Sequence, residues 1–232
     1  MIEFLNVRHR YAGQAEPALD GVSVRIASGT VVALAGPNGA GKTTMLRLVA
    51  GALRPGSGTV RVDGAARPRE IRACTAYAPD AGGVYPFLTA DEHDAYLSRF
   101  LPGWRSDRFR LLLRRLAVPT ERPARTFSRG QRARLRLGVT LARQASVWVL
   151  DEPFAGIDPE SRETLTAALA GFLAEEPRTL IVATHEVGEI ESLVDRVLVL
   201  ADGSVRVDQD ADALRQESGG SVDQFLRQGA WR

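Results

Sequence analysis

Apolar and polar side chains alternate from the first residues, with Ile2, Phe4 and Val7 set against Glu3, Asn6 and Arg8. That is the period-two pattern of a half-buried strand running from Ile2 to Arg8. Val22, Val24 and Ile26 alternate in the same way. Val31 to Ala35 breaks the alternation: five apolar residues in a row predict a strand covered on both faces, as in a parallel sheet. The period then changes. Met45, Leu46, Leu48 and Val49 read as one helix, with Gly51 placed to end it. Beyond the turn cluster Pro55-Gly56-Ser57-Gly58, Thr59 to Val62 reads as a strand and Asp63-Gly64 as a hairpin signal. Arg67-Pro68-Arg69 is expected to be loop, and Thr75 to Ala78 a short strand ended by Pro79.

No strand pattern occurs between Phe87 and Ala145. Thr89 with Glu92 forms a capping box that opens a helix to about Leu101, where Pro102-Gly103 ends it. A second helix is expected from about Ser106 to Ala117, with Pro119 and Pro123 breaking the pattern after it. Ser128 with Gln131 opens a third, running to about Gln144. Val147 to Leu150 is another short buried strand. Asp158 is an N-cap with Pro159 at the first helical position, starting a helix to about Glu176. Thr179 to Ala183 reads as a strand, and Val187, Ile190 and Val194 as one face of a helix. Arg196 to Leu200, the turn Asp202-Gly203 and Ser204 to Val207 predict a closing hairpin, and two short helices follow Asp210, the second opened by Ser221 with Gln224.

Strands alternating with helices in the first and last thirds predict an α/β fold with a mostly parallel sheet and helices on both faces. An antiparallel β portion is expected near the N-terminus. The chain reads as one domain over 1–232: a core from 1–86 and 146–210, an inserted α-helical subdomain at 87–145, and a short helical tail at 211–232. In such sheets ligands sit at the carboxyl ends of the strands.

The chemistry begins at the end of the first continuous apolar strand. Gly36-Pro37-Asn38-Gly39-Ala40-Gly41-Lys42-Thr43-Thr44 matches the G-x-x-x-x-G-K-[ST] phosphate loop in full, and it lies between a predicted strand and a predicted helix. Gly36, Gly39 and Gly41 let the backbone curl so that successive N–H groups point at phosphate oxygens. The helix starting near Lys42 adds the positive end of its dipole. Lys42 supplies a point charge to the terminal phosphates, and the Thr43 hydroxyl can ligate Mg²⁺. The core is therefore expected to be a phosphate-loop (RecA-like) NTPase.

Composition narrows the classes. The chain has 232 residues, 25% charged and 44% hydrophobic, ordinary for a folded globular domain. A net charge of +2 gives no argument for nucleic acid or an anionic membrane. No apolar run approaches the ~20 residues needed to span a bilayer. Met1-Ile2-Glu3-Phe4 lacks the basic-then-apolar layout of a signal peptide. The one cysteine, Cys74, excludes an internal disulfide, suits the reducing cytoplasm and reads as a small packed side chain.

Asp151 and Glu152 follow four apolar residues. That pattern presents Asp151 to the metal beside the phosphate loop and aims Glu152 at the attacking water as general base. Here the chain resembles a family. Phe127-Ser128-Arg129-Gly130-Gln131 resembles the signature motif of ATP-binding-cassette (ABC) ATPases, and Ala155-Gly156-Ile157-Asp158 resembles their D-loop. His185 falls where their switch histidine falls. Tyr11, on its residues alone a half-buried loop aromatic, falls where an aromatic stacks on adenine. The resemblance covers essentially the whole chain in the family's order, and other phosphate-loop classes lack the signature.

The resemblance implies ATP and Mg²⁺ as cofactors. It implies a head-to-tail dimer in which each site takes Lys42, Thr43, Asp151, Glu152 and His185 from one copy and Ser128, Gly130 and Gln131 from the other. It also implies separate transmembrane subunits, no nucleic acid, and a cytoplasmic position on the inner face of the membrane held through those subunits. Two positions depart from the family. Arg129 stands for the first glycine of the usual signature pair, and Asp80 stands where a glutamine senses the metal and couples to the membrane partner. Asp80 either accepts from a metal-bound water, without donating as an amide can, or points away. Both departures, with the short tail after the closing hairpin, favour an exporter of the drug-resistance type, and the similar ATPase of a haem exporter competes. A soluble ABC protein acting on DNA or ribosomes would need tandem cassettes or long heptads, and a phosphate-loop GTPase an Asn-Lys-x-Asp motif; the chain has neither. A weakly active regulatory cassette is supported only by Asp80 and Arg129.

Overall fold

A computed structural model describes residues 1–229. Among these described residues nine strands and eight α-helices follow one another as two sheets with helices packed around them. Strands β1 (Ile2–His9), β2 (Leu19–Ile26) and β4 (Ser57–Val62) make a three-stranded antiparallel sheet in the order β2-β1-β4. The second sheet has six strands, β3 (Val31–Ala35), β5 (Thr75–Ala78), β6 (Val147–Asp151), β7 (Thr179–Ala183), β8 (Arg196–Ala201) and β9 (Ser204–Asp210). Their order is β5-β6-β7-β3-β8-β9. All neighbours are parallel except β9, which turns back on β8. The α/β class and the closing hairpin are as expected.

The continuous apolar strands are buried on both faces, but each face serves a different core. Val31, Ala33 and Ala35 join Trp148, Leu150, Leu180, Val182, Val197 and Val199 on one side, against the helices. Val32 and Leu34 join Val147, Val149, Ile181, Ala183 and Leu198 on the other, against the antiparallel sheet and the helix after the phosphate loop. The period of two survives inside an all-apolar strand because successive side chains still point to opposite faces.

Helix α1 (Lys42–Val49) follows the phosphate loop, and Gly51 turns back at φ +62°. Two short elements before β5 differ from expectation. Residues around Arg67-Pro68-Arg69 are not loop: Pro68 occupies the first position of α2 (Pro68–Cys74), where its missing N–H costs nothing. Asp63-Gly64 closes a single bridge, Val62 to Ala65, rather than a full hairpin, because β4 pairs instead with β1. Cys74 is half-buried, its thiol donating to the Glu70 carbonyl.

Helices α3 (Ala90–Phe100), α4 (Ser106–Arg115) and α5 (Arg129–Leu141) lie between β5 and β6. Both expected capping boxes form, Thr89 with Glu92 and Ser128 with Gln131. Phe109, Leu112, Leu135 and Leu141 share one core with the sheet. Helix α6 (Pro159–Glu175) begins at the Asp158 cap, whose carboxylate accepts from the Ser161 N–H. Val187, Ile190 and Val194 do not share a helix: 3-10 turns Val187–Glu189 and Glu191–Leu193 replace it. The chain is drawn tight there by β8, whose preceding residue Asp195 accepts from the Val31 N–H. Helices α7 (Ala211–Ser218) and α8 (Val222–Gln228) close the described chain, and Ala230 to Arg232, the end of the expected tail, lie outside the described residues. Among the described residues no helix is long and apolar enough to cross a membrane.

Candidate functional site

The carboxyl ends of β3, β6 and β7 lie side by side, because β7 pairs with β3 on one edge and β6 on the other. From them leave the phosphate loop, Asp151-Glu152 and Thr184-His185. Two glycines of the loop cannot be replaced. A side chain at Gly36, φ +141°, would stand 2.1 Å from the Leu200 carbonyl, and one at Gly41, φ +104°, 2.3 Å from that of Ala18. No side chain caps α1, and among the described residues the N–H groups of Lys42, Thr43 and Thr44 have no acceptor. The turn is thus left open for an external anion.

Inside it, Lys42 Nζ donates to the carbonyls of Gly36 at 2.7 Å and Pro37 at 3.1 Å. Burial holds its ammonium below the ordinary lysine value, against the opposing pull of Glu152 and Asp151. Thr43 Oγ1 donates to Asp151 Oδ1 at 3.3 Å, and the Tyr77 hydroxyl donates to Oδ2 at 3.2 Å. Burial raises the Asp151 carboxyl; those two donors oppose the rise and the Asp80 charge adds to it. The Tyr77 phenol is pushed up to about 12, by burial first and then by the Asp151 charge. Thr43 and Asp151 thus offer two hard oxygens beside the phosphate loop. Mg²⁺ takes one or two carboxylates and completes its shell with phosphates and water, so the pair fits that ion.

Glu152 has a left-handed backbone, φ +47°, costly for a residue with a Cβ. Its N–H donates to Ala183 at 2.8 Å, and its Oε2 lies 2.8 Å from His185 Nδ1. Tyr11 and Gln14 from the β1–β2 loop, Pro37 to Thr44, Asp80, Asp151 and Glu152 together line one cavity of about 360 Å³. The Tyr11 hydroxyl is 3.2 Å from Thr44 Oγ1. Hollows of about 770 and 820 Å³ lie elsewhere, but no carboxylate lines either one. The smaller cavity is where the groups converge.

The structure therefore gathers Tyr11, the whole loop Gly36-Pro37-Asn38-Gly39-Ala40-Gly41-Lys42-Thr43-Thr44, Asp80, Asp151 and Glu152, with His185 attached through Glu152. It does not bring Ser128, Gly130 or Gln131 to this cavity. They open α5, whose start rests on the α6 cap: a side chain at Gly130 would lie 2.3 Å from Ser161 Oγ. Nothing in the sequence singles out Tyr77. It comes to Asp151 only because β5 pairs with β6, a partnership that nothing local announces.

A family model described as ABC transporter matches residues 19–155, more than half of the chain. The chain belongs to the ABC transporter family. The taurine import ATP-binding protein TauB of Chromobacterium violaceum is 35% identical over 205 residues, covering 85% of this chain and 77% of that protein. The Nod factor export ATP-binding protein I of Paraburkholderia xenovorans is 32% identical over 211 residues, with coverages of 87% and 68%. Against a choline transport ATP-binding protein of Bacillus subtilis, at 28% identity, the chain spans 62% of the relative's length. Among solved structures, a dimeric ATP-binding cassette in a post-hydrolysis state, bound to ADP and Pi, superposes with a TM-score of 0.81. It is 23% identical, the match covering 91% of this chain and 99% of that one, a likeness of fold. The family match spans the phosphate loop, the helices between β5 and β6, and Asp151-Glu152, and the likeness of fold extends over both sheets.

Proposed function

We propose that this ABC chain binds and hydrolyses ATP as the nucleotide-binding subunit of a transporter, working as a dimer with separate transmembrane subunits and held by them at the cytoplasmic face of the membrane. The observation that carries this reading is the convergence of the phosphate loop, Asp151 and Glu152 in one cavity, with His185 at 2.8 Å from Glu152.

In this reading Lys42 leaves the carbonyls of Gly36 and Pro37 for the terminal phosphates, and the open N–H groups of the loop and α1 hold the remainder. Tyr11 lies against the base. Thr43 and Asp151 hold Mg²⁺, which supplies charge neutralisation on the phosphates when bound, and Asp80 faces the same space. Glu152 takes the proton of the attacking water, oriented by His185 Nδ1. Ser128, Gly130 and Gln131 complete the site of a second copy. Their distance from this chain's own cavity supports that division. The domain division runs the same way, with 87–145 as the signature-bearing helical unit between the core segments 1–86 and 146–210.

Related proteins carry both import and export in their names. The direction we propose is export, supported by the Ser128-Arg129-Gly130 signature and the acidic Asp80. Glu152→Gln with ATP tests the dimer: it is expected to elute at twice the monomer mass in size-exclusion chromatography with light scattering. Monomer elution at saturating ATP would argue against the shared site.

A further inference from the structure

One buried acid near the site has no part in the scheme above. Glu189, in the 3-10 turn after His185, has a side chain only 8% exposed, and neither of its carboxylate oxygens accepts a hydrogen bond. Arg162 Nη1 stands 2.6 Å from its Oε1, an ion pair in distance without the alignment of a hydrogen bond. The same nitrogen lies 3.4 Å from Glu186 Oε2. Glu186 Oε1 is in turn 3.7 Å from His185 Nε2, the ring nitrogen opposite the one on Glu152. A continuous line of groups therefore runs from Glu152 through His185 and Glu186 to Arg162 and Glu189.

We infer that Glu189 and Glu186, linked through Arg162, are positioning residues that set whether the His185 imidazole stays on Glu152 or is drawn away toward Glu186. The inference rests on the ATPase reading only for its kinetic consequence. A single guanidinium faces two carboxyl groups and can neutralise one. When Glu189 carries a proton, its O–H donates to Glu186, which stays on the Arg162 side, and His185 remains on Glu152. When Glu189 is ionised, it takes Arg162, the nearer partner, and repels Glu186 toward the free nitrogen of His185.

The charges around Glu189 support that direction. Its own segment brings Glu186 and His185, α6 brings Arg162, and the end of β6 brings Glu152. From α8, Asp223 packs over Gly188, where its Cβ would lie 3.6 Å from an added methyl, and its carboxylate accepts from Arg227 Nε at 2.6 Å. Glu191, in the next turn, is taken up by the Ser221 hydroxyl and the Val222 N–H. Burial, and then the neighbouring Glu186, push the Glu189 carboxyl up to about 8, with Arg162 opposing. A raised acid carries its proton below that value and loses it above.

The test is a pH series on the full chain. If Glu189 ionisation displaces His185, kcat falls about tenfold from about pH 7 to about pH 9 at saturating ATP, the change expected for one group titrating midway. Glu189→Gln, which stays neutral and can still donate, removes that fall. Glu186→Gln removes it too, since the end that reaches His185 is then uncharged. A fall of the same size in Glu189→Gln would overturn the inference. A second readout does not need hydrolysis: the ¹³Cε1 resonance of His185, one of three histidines, should report the Glu189 ionisation as a step at about pH 8 that Glu189→Gln abolishes. A step that survives the substitution overturns the inference. Its loss in a chain that hydrolyses no ATP upholds the positioning role and overturns the ATPase reading instead.

Discussion

Asp80 shows how one carboxylate alters a site it only borders. It is exposed at the edge of the 360 Å³ cavity, and its charge adds to the rise of the buried Asp151 carboxyl. Its backbone carbonyl and that of Pro79 are both held by Arg136, so the residue is tethered where an incoming triphosphate would meet a negative charge. Replacing it by an amide removes that charge and restores a donor. Asp80→Gln is expected to raise the basal ATPase rate of the isolated chain roughly fivefold and to lower the Mg²⁺ concentration for half-maximal rate, both read in a coupled assay. Unchanged rate and Mg²⁺ dependence would remove Asp80 from the mechanism. At this scale the sequence is readable where a residue sits at the end of an apolar strand, as Asp151, Glu152 and His185 do, or inside a complete motif, as Lys42 does. Tyr77, Arg162 and Glu189 are not, because their partners lie on other elements: Tyr77 reaches Asp151 across two paired strands, and Arg162 reaches Glu189 from a separate helix.

Between elements, the junction of α5 with α6 is the tightest contact near the signature residues. Arg134 Nη2 donates to Ser161 Oγ at 3.0 Å, and Ser161 Oγ donates to Asp158 Oδ2 at 2.8 Å, leaving no room for a side chain at Gly130. Gly130→Ala is therefore expected to destabilise the fold by ~1–3 kcal/mol through overpacking. Gly171, in the middle of α6 with nothing within 4 Å of an added methyl, should do the reverse as Gly171→Ala, gaining about 0.5–1 kcal/mol. Urea midpoints at constant slope separate the two, and a neutral Gly130→Ala would mean that α5 does not bear on α6. Helices whose starts are encoded in cap residues are legible from the chain alone: α3 and α5 through capping boxes, α6 through Asp158 followed by Pro159. The α2 helix and the paired 3-10 turns are not. Each is only one or two turns long, and its conformation answers to the strands on either side rather than to its own period.

Over the whole molecule, the six-stranded sheet divides the apolar interior into two cores, one under the helices and one under the antiparallel sheet. The strand run Val31 to Ala35 belongs to both. That made the parallel core the most readable part of the fold, since a strand buried on both faces must be apolar throughout. The order β5-β6-β7-β3-β8-β9 was not readable, because the pattern marks that strands exist and not which ones touch. One further consequence comes from the phosphate loop. Lys42 is the chain's single lysine, its amine is mostly buried, and burial lowers its affinity for a proton. The chain thus carries a built-in reporter: for an acylating reagent its one lysine amine is the one inside the phosphate loop. A mild activated ester should modify Lys42 in the free chain and spare it when ATP is present, a difference of one adduct visible by intact-mass spectrometry. Occupancy of the nucleotide pocket then becomes countable molecule by molecule, without a labelled nucleotide.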